Sequence, residues 1–169
     1  MFLKSIEVES FRNLKGTIDF SPGINILYGN NGQGKTNWLE SIQLLAHAKS
    51  FRTHHLHETV TFGDATANLS GVVHHGDAID RQLRISIQRN TRQTFINGKR
   101  EPVARYLAQL HAVWFTADEL EVVRGGPEAR ARNPSLSPDR LALTGVLIRV
   151  AQFEISPPCP VSLSPRPWS

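Results

Sequence analysis

Residues 29 to 36 read Gly29-Asn30-Asn31-Gly32-Gln33-Gly34-Lys35-Thr36, a complete G-x-x-x-x-G-K-[ST] pattern. A chain with this run must place a tight glycine turn directly ahead of a helix. Glycine accepts backbone angles at which any Cβ would clash. The turned backbone then aims several N–H groups into one cavity that suits a phosphate chain. Lys35 brings a compact positive charge to β- and γ-phosphates, and Thr36 offers a hydroxyl to Mg²⁺. The following helix adds the positive end of its dipole.

The flanks agree with this reading. Ile24-Asn25-Ile26-Leu27-Tyr28 is a short apolar run after Ser21-Pro22-Gly23, which predicts a buried strand. Beyond the loop, Trp38, Ile42 and Leu45 recur at helical spacing, with Leu39 and Ala46 beside them. The loop alone does not choose a reaction, since kinases, GTPases and mechanical ATPases all use it. A GTPase would want an Asn-Lys-x-Asp base reader, which the sequence lacks. A small-molecule kinase would want a substrate-clamping lid, and residues 59–96 suit that poorly.

Those residues read instead as antiparallel sheet. Ile6 and Val8 alternate with Ser5, Glu7 and Glu9, so residues 1–20 predict a two-stranded start. Further strands are expected at 59–62, 67–74, 79–88 and 93–96, with Asn97-Gly98 as the hairpin turn. Pro102 suits the first turn of a helix running to Leu110. Residues 111–115 predict another core strand, and His74-His75 a turn.

Several motifs together carry a family resemblance. The opening Leu3-x-x-Ile6-x-Val8-x-x-Phe11-Arg12-Asn13-Leu14, followed by residues 29–37, resembles the SMC-like ATPases. Lys49-Ser50-Phe51-Arg52-Thr53 and Phe95-Ile96-Asn97-Gly98-Lys99 narrow it, as does Phe115-Thr116-Ala117-Asp118-Glu119-Leu120 running to Arg124-Gly125-Gly126-Pro127-Glu128. In this order they resemble the RecF family over about residues 1–132. The resemblance implies an α/β fold, a P-loop NTPase core of ABC/SMC-head type with an antiparallel β lobe. It implies ATP and Mg²⁺ as cofactors, with Arg12 and Asn13 approaching the nucleotide. It also implies DNA as partner, single-stranded or gapped, in replication and recombinational repair within the SOS response to DNA damage. RecO and RecR are implied as helpers in loading RecA, with an ATP-dependent homodimer as the acting form.

The bulk properties are compatible with that picture. A net charge of +4 and a pI near 9.6 permit nucleic-acid contact without demonstrating it. Cys159 stands alone, which excludes an internal disulfide and fits a reducing, cytoplasmic setting. No apolar run reaches membrane-spanning length, and the first residues alternate rather than form a signal peptide.

From residue 133 the character changes. Eight of the ten prolines lie from Pro127 onward, and residues 157–169 cannot run as a helix or central strand. The expectation is a head at 1–132 and a Pro-rich tail at 133–169, disordered or aberrant and unrelated to the family. Hydrolysis in the family resembles a two-protomer reaction needing an acidic strand and a serine-glycine signature. Asp118-Glu119 is separated from the strand at 112–115 by Thr116-Ala117 and reads as a decoy, and Ser135-Leu136-Ser137-Pro138 is not the signature. The chain therefore reads as incomplete and unable to hydrolyse ATP, with a non-functional remnant as a further alternative.

Arg52, after the helix, has the chemistry to stack on a base or meet a phosphate. His54-His55-Leu56-His57 with Glu58 invites a metal reading, but lacks a distant matching pair and reads as a polar loop. Arg81, Arg84, Arg89, Arg92, Lys99 and Arg100 would neutralise DNA phosphates if several shared one face.

Overall fold

The computed structural model describes residues 1–76, 79–115 and 146–149. Alternating sequence becomes a six-stranded antiparallel sheet. Its strands are β1 (Phe2–Phe11), β2 (Leu14–Asp19), β3 (Thr66–His75), β4 (Ile79–Gln88), β5 (Thr91–Ile96) and β6 (Lys99–Arg100), in spatial order β2-β1-β3-β4-β5-β6. The register gathers one set of side chains on the inner face. Ile6 opposes Gly71, which opposes Leu83, and Val8 opposes Leu69, which opposes Ile85. Apart from Gly71 these side chains are fully buried, the alternation expected of a half-buried sheet.

Helix α1 (Lys35–His47) lies on that inner face. Its residues 40 to 46 are all buried, so the helix is enclosed on every side beyond its partly exposed first turn. It approaches β3 at Gly71, where a Cβ would collide with Leu45. A short helix α2 (Val103–Leu107) covers β5, and its Tyr106 donates a 2.8 Å hydrogen bond to the Leu45 carbonyl. Burial pushes the Tyr106 hydroxyl pKa far above its ordinary value. Strand β7 (Ala112–Phe115) packs near α1 and pairs in parallel with β8 (Val146–Arg149).

Several expectations need correction. Residues 24–28 form no strand, and Ile24, Ile26 and Tyr28 are 91%, 74% and 85% exposed. A parallel-type strand is stabilised only when flanked, and no described strand pairs with this run. Residues 59–62 are not a strand either. A 3-10 turn, Leu56–Thr59, is closed by Thr59 Oγ1 donating to the Leu56 carbonyl at 2.6 Å, and only Val60 bridges to Phe11. His74 and His75 extend β3 rather than turn, because the β3–β4 ladder runs to the His75–Ile79 pair. Helix α2 stops at Leu107, short of Leu110, where Gln109 N donates back to the Tyr106 carbonyl.

The hairpin turn is where Asn97-Gly98 placed it, with φ of 49° and 78° at the two residues. Within 133–169, Val146–Arg149 is a strand, which departs from a tail without structure; its apolar Val-Leu-Ile run suits a parallel neighbour. Asp118-Glu119, residues 124–128 and Ser135-Leu136-Ser137-Pro138 lie outside the described residues.

Candidate nucleotide-binding site

The glycine loop enters α1 through Gly34, which caps the helix with φ of 87°. Gly29 and Gly32 also have positive φ, 148° and 82°. All three are conformations that L side chains avoid. Space is limiting as well as angle: a Cβ on Gly34 would come within 2.9 Å of Leu14 Cδ2 and 3.2 Å of Asn13 Oδ1. The β1–β2 turn thus presses against the last glycine of the loop. Lys35 folds back over the loop, its ammonium donating to the carbonyls of Gly29 and Asn30 at 2.7 Å each. Thr36 is exposed on the first turn of α1, and Asn30, Asn31 and Gln33 line the loop with exposed side chains. A glycine turn with the Lys35 ammonium folded over it, an exposed hydroxyl at Thr36 and a 13-residue helix behind it is the arrangement that a phosphate-binding loop requires.

Asn13 and Arg12 occupy the two-residue turn between β1 and β2, with Arg12 at φ 54°. Asn13 Oδ1 accepts from Asn37 Nδ2 at 2.7 Å, so it touches both the loop and the helix start. Arg12 points elsewhere. Its Nη2 and Nε donate to Glu40 at 2.9 and 3.2 Å, and its Nη1 donates to the Glu58 carbonyl at 2.8 Å. Arg52 also reaches this group, with Nη1 2.7 Å from Asn37 Oδ1 and 3.4 Å from Glu40 Oε2. Ser50 Oγ donates to Glu40 Oε1 at 2.6 Å.

Sequence reasoning missed Glu40, which is fully buried at the centre of this network. The signal was a carboxylate set among the apolar positions of α1, four residues after Thr36. A charge there survives only when paired and hydrogen-bonded.

The other candidates separate. Among the described residues no three His, Cys, Asp or Glu side chains are placed to hold a metal ion. Glu58 accepts from Thr53 Oγ1 at 2.5 Å, which holds its carboxyl below the usual range. The basic residues of the sheet do not form one face. Arg81 and Arg92 belong to the inner-facing register positions, and Arg81 bonds to Gln109. Arg84 and Arg100 belong to an outward row in which Arg84 opposes Phe95 and Phe95 opposes Arg100. The Arg84 guanidinium stacks 4.2 Å from the Phe95 ring centre.

Comparison with known proteins places this geometry. The family described as "RecF/RecN/SMC N terminal domain" matches residues 2–163. The DNA replication and repair protein RecF of Lactobacillus acidophilus is 37% identical over 134 residues, covering 78% of this chain and 36% of the relative. Its Geobacter sp. counterpart is 39% identical over 135 residues, with the same coverage. A solved structure of the recombination mediator protein RecF with a nucleotide given as ATPrS superposes with a TM-score of 0.68 at 32% identity, covering 76% of this chain and 36% of that one. A structure from work on ATP-driven dimerization of SMC ATPases superposes at 0.67 with 19% identity, over 78% of this chain and 96% of that one, which shows the shared fold. The chain spans about a third of the length of the curated relatives it matches. An SMC/RecF-type head fold, a RecF-like sequence and a formed glycine loop converge, and the chain belongs to the RecF/RecN/SMC N-terminal domain family.

Proposed function

We propose that this chain binds ATP with Mg²⁺ through residues 29–36 and acts in a RecF-type replication and repair role. The observation that carries the reading is the loop itself: three glycines at positive φ, Lys35 folded over them and α1 starting at their end. The loop N–H groups and Lys35 hold the phosphate chain, and Thr36 supplies a hydroxyl to the metal. A Mg²⁺ ion held at the Thr36 hydroxyl would supply positive charge to offset that of the phosphates. Asn13 backs the loop at Gly34, while Arg12 acts from behind through Glu40. Arg52 is placed at Asn37, beside Thr36, to meet phosphate charge.

The wider role rests on relatives. A solved relative is described as RecF with ATP in the RecFOR pathway, and the curated relatives as DNA replication and repair proteins. For this chain we infer association with single-stranded or gapped DNA, cooperation with RecO and RecR in loading RecA, and an ATP-dependent homodimer. A cytoplasmic setting and a part in the SOS response follow the same inference. Among the described residues no helix is long and apolar enough to cross a membrane.

We also propose a division at about residue 132. The stretch shared with curated relatives, 134 residues, supports it; the family match, which runs over residues 2–163, and strand β8 in the second part count against a tail wholly unrelated and without structure. Turnover of ATP by this chain alone is not expected, since residues 29–36 supply a cradle and one metal ligand but no positioned water.

Fluorescence anisotropy on a gapped duplex, with ATP, ADP or no nucleotide, tests the proposal, with phosphate release read in parallel. ATP-strengthened DNA binding that Lys35→Ala abolishes is expected, without appreciable phosphate release. Binding indifferent to nucleotide and to Lys35→Ala would contradict the role.

A further inference from the structure

Two arginines converge on one carboxylate that has no solvent exposure. Arg12 forks onto Glu40 at 2.9 and 3.2 Å, with its side chain 21% exposed. Arg52 reaches the same group through a single longer contact of 3.4 Å, with its side chain 43% exposed. One carboxylate neutralises one guanidinium. The geometry assigns that pairing to Arg12, because bidentate forks at short distance are the strong ones. Arg52 is then the surplus cation. It can turn toward an anion without leaving Glu40 buried and unpaired, whereas Arg12 cannot.

Glu40 also holds the backbone from which Arg52 springs. Ser50 Oγ donates to Glu40 Oε1 at 2.6 Å and accepts from the N–H groups of Arg52 and Thr53 at 3.0 and 3.2 Å. On the outer side, Arg52 Nη1 donates to Asn37, one residue past Thr36. Asn37 in turn bonds Asn13, which lies against Gly34. A continuous set of polar contacts thus runs from the buried carboxylate to Asn13, which packs against Gly34 of the glycine loop.

We propose that Glu40 is a positioning residue for the nucleotide: without touching the ligand, it holds Arg52 at the mouth of the loop as the group that senses a third phosphate. The proposal rests on the reading of residues 29–36 as the ATP site. It predicts that Glu40 governs the preference for ATP over ADP rather than nucleotide binding as a whole.

The test is a titration of fluorescent ATP and ADP analogues, with Mg²⁺, into the full chain and its variants. Arg52→Ala lowers the ATP-to-ADP affinity ratio about tenfold, the scale of one lost charge-assisted hydrogen bond. Glu40→Gln lowers the ratio by a similar factor, and the double variant loses no more than either alone. Ser50→Ala, which keeps the Glu40–Arg12 pair, lowers the ratio in the same direction and serves if Glu40→Gln does not fold. Glu40→Asp, which keeps the charge, restores part of the ratio. A ratio unchanged in both Glu40→Gln and Ser50→Ala, or losses that add to that of Arg52→Ala, would overturn the proposal. A native chain that binds neither analogue would overturn the ATP-site reading and this inference with it.

Discussion

Arg12 grips Glu40 with two nitrogens, Nη2 at 2.9 Å from Oε1 and Nε at 3.2 Å from Oε2, across the junction of the β1–β2 turn and α1. The pair joins the sheet to the helix that carries the glycine loop. Arg12 is half-buried and Glu40 fully buried, so the contact is weakly screened.

Removing Arg12 therefore strands a buried charge. Arg12→Ala is expected to cost about 3–5 kcal/mol, the usual cost of breaking a buried pair from one side. Arg52→Ala is expected to cost no more than about 1 kcal/mol, as a partly exposed contact does. Urea unfolding of the two variants compares them directly. Equal losses would mean that Arg12 is not the partner that neutralises Glu40.

Gly34 carries two constraints at once, an angle and a contact. Its φ of 87° costs an L side chain about 1–2 kcal/mol. The contact with Leu14 adds to that, because the β1–β2 turn has little room to move. Gly34→Ala is expected to weaken ATP-analogue binding and lower the unfolding midpoint together. Full affinity in a stably folded variant would show that the loop does not need this backbone conformation.

Much of this was legible locally. The loop pattern specifies its own turn, and the alternation of β1, β3 and β4 specifies their faces to within a residue or two. What escaped was non-local. Residues 24–28 look like a buried strand because their composition is that of one, yet burial depends on neighbours elsewhere in the chain. Glu40 looks like an ordinary helical glutamate until the turn at 12–13 and the segment at 50–53 meet it. The arginines of β4 and β5 look like one basic cluster, yet a period of two sends alternate positions to opposite faces.

Acid should loosen one end of the central strands β1, β3 and β4. Asp80 accepts from Lys4 Nζ at 2.8 Å and lies 2.7 Å from His74 Nδ1, and these contacts hold its carboxyl below the usual aspartate value. A depressed folded-state pKa gives stability that is complete above the ordinary aspartate range and lost as pH falls through the folded value. Stability measured by urea at about pH 5 and about pH 3 should fall less in Lys4→Ala than in the native chain. An unchanged slope would mean that the Lys4 contact does not persist in solution.

DNA contact, if it uses the sheet, falls to the outward row. Arg84 and Arg100 share that face through Phe95, while Arg81 and Arg92 do not. Replacing Arg84 or Arg100 by alanine is expected to weaken binding to any sequence and reduce the log–log salt slope by roughly one each. The slope is measured from about 50 to 200 mM salt on single-stranded DNA. Slopes unchanged in both variants would move the DNA surface off this face.

The most direct measurement is the affinity of the full chain for a fluorescent ATP analogue with Mg²⁺, beside Lys35→Ala. The Lys35 ammonium stands over the loop, 2.7 Å from the carbonyls of Gly29 and Asn30, where phosphate charge would meet it. Saturable binding by the native chain, weakened at least about tenfold in Lys35→Ala, is the expected result, since a hydrogen bond to a charged group is worth about 1.5–3 kcal/mol. Equal affinity in the two proteins would contradict residues 29–36 as the nucleotide site.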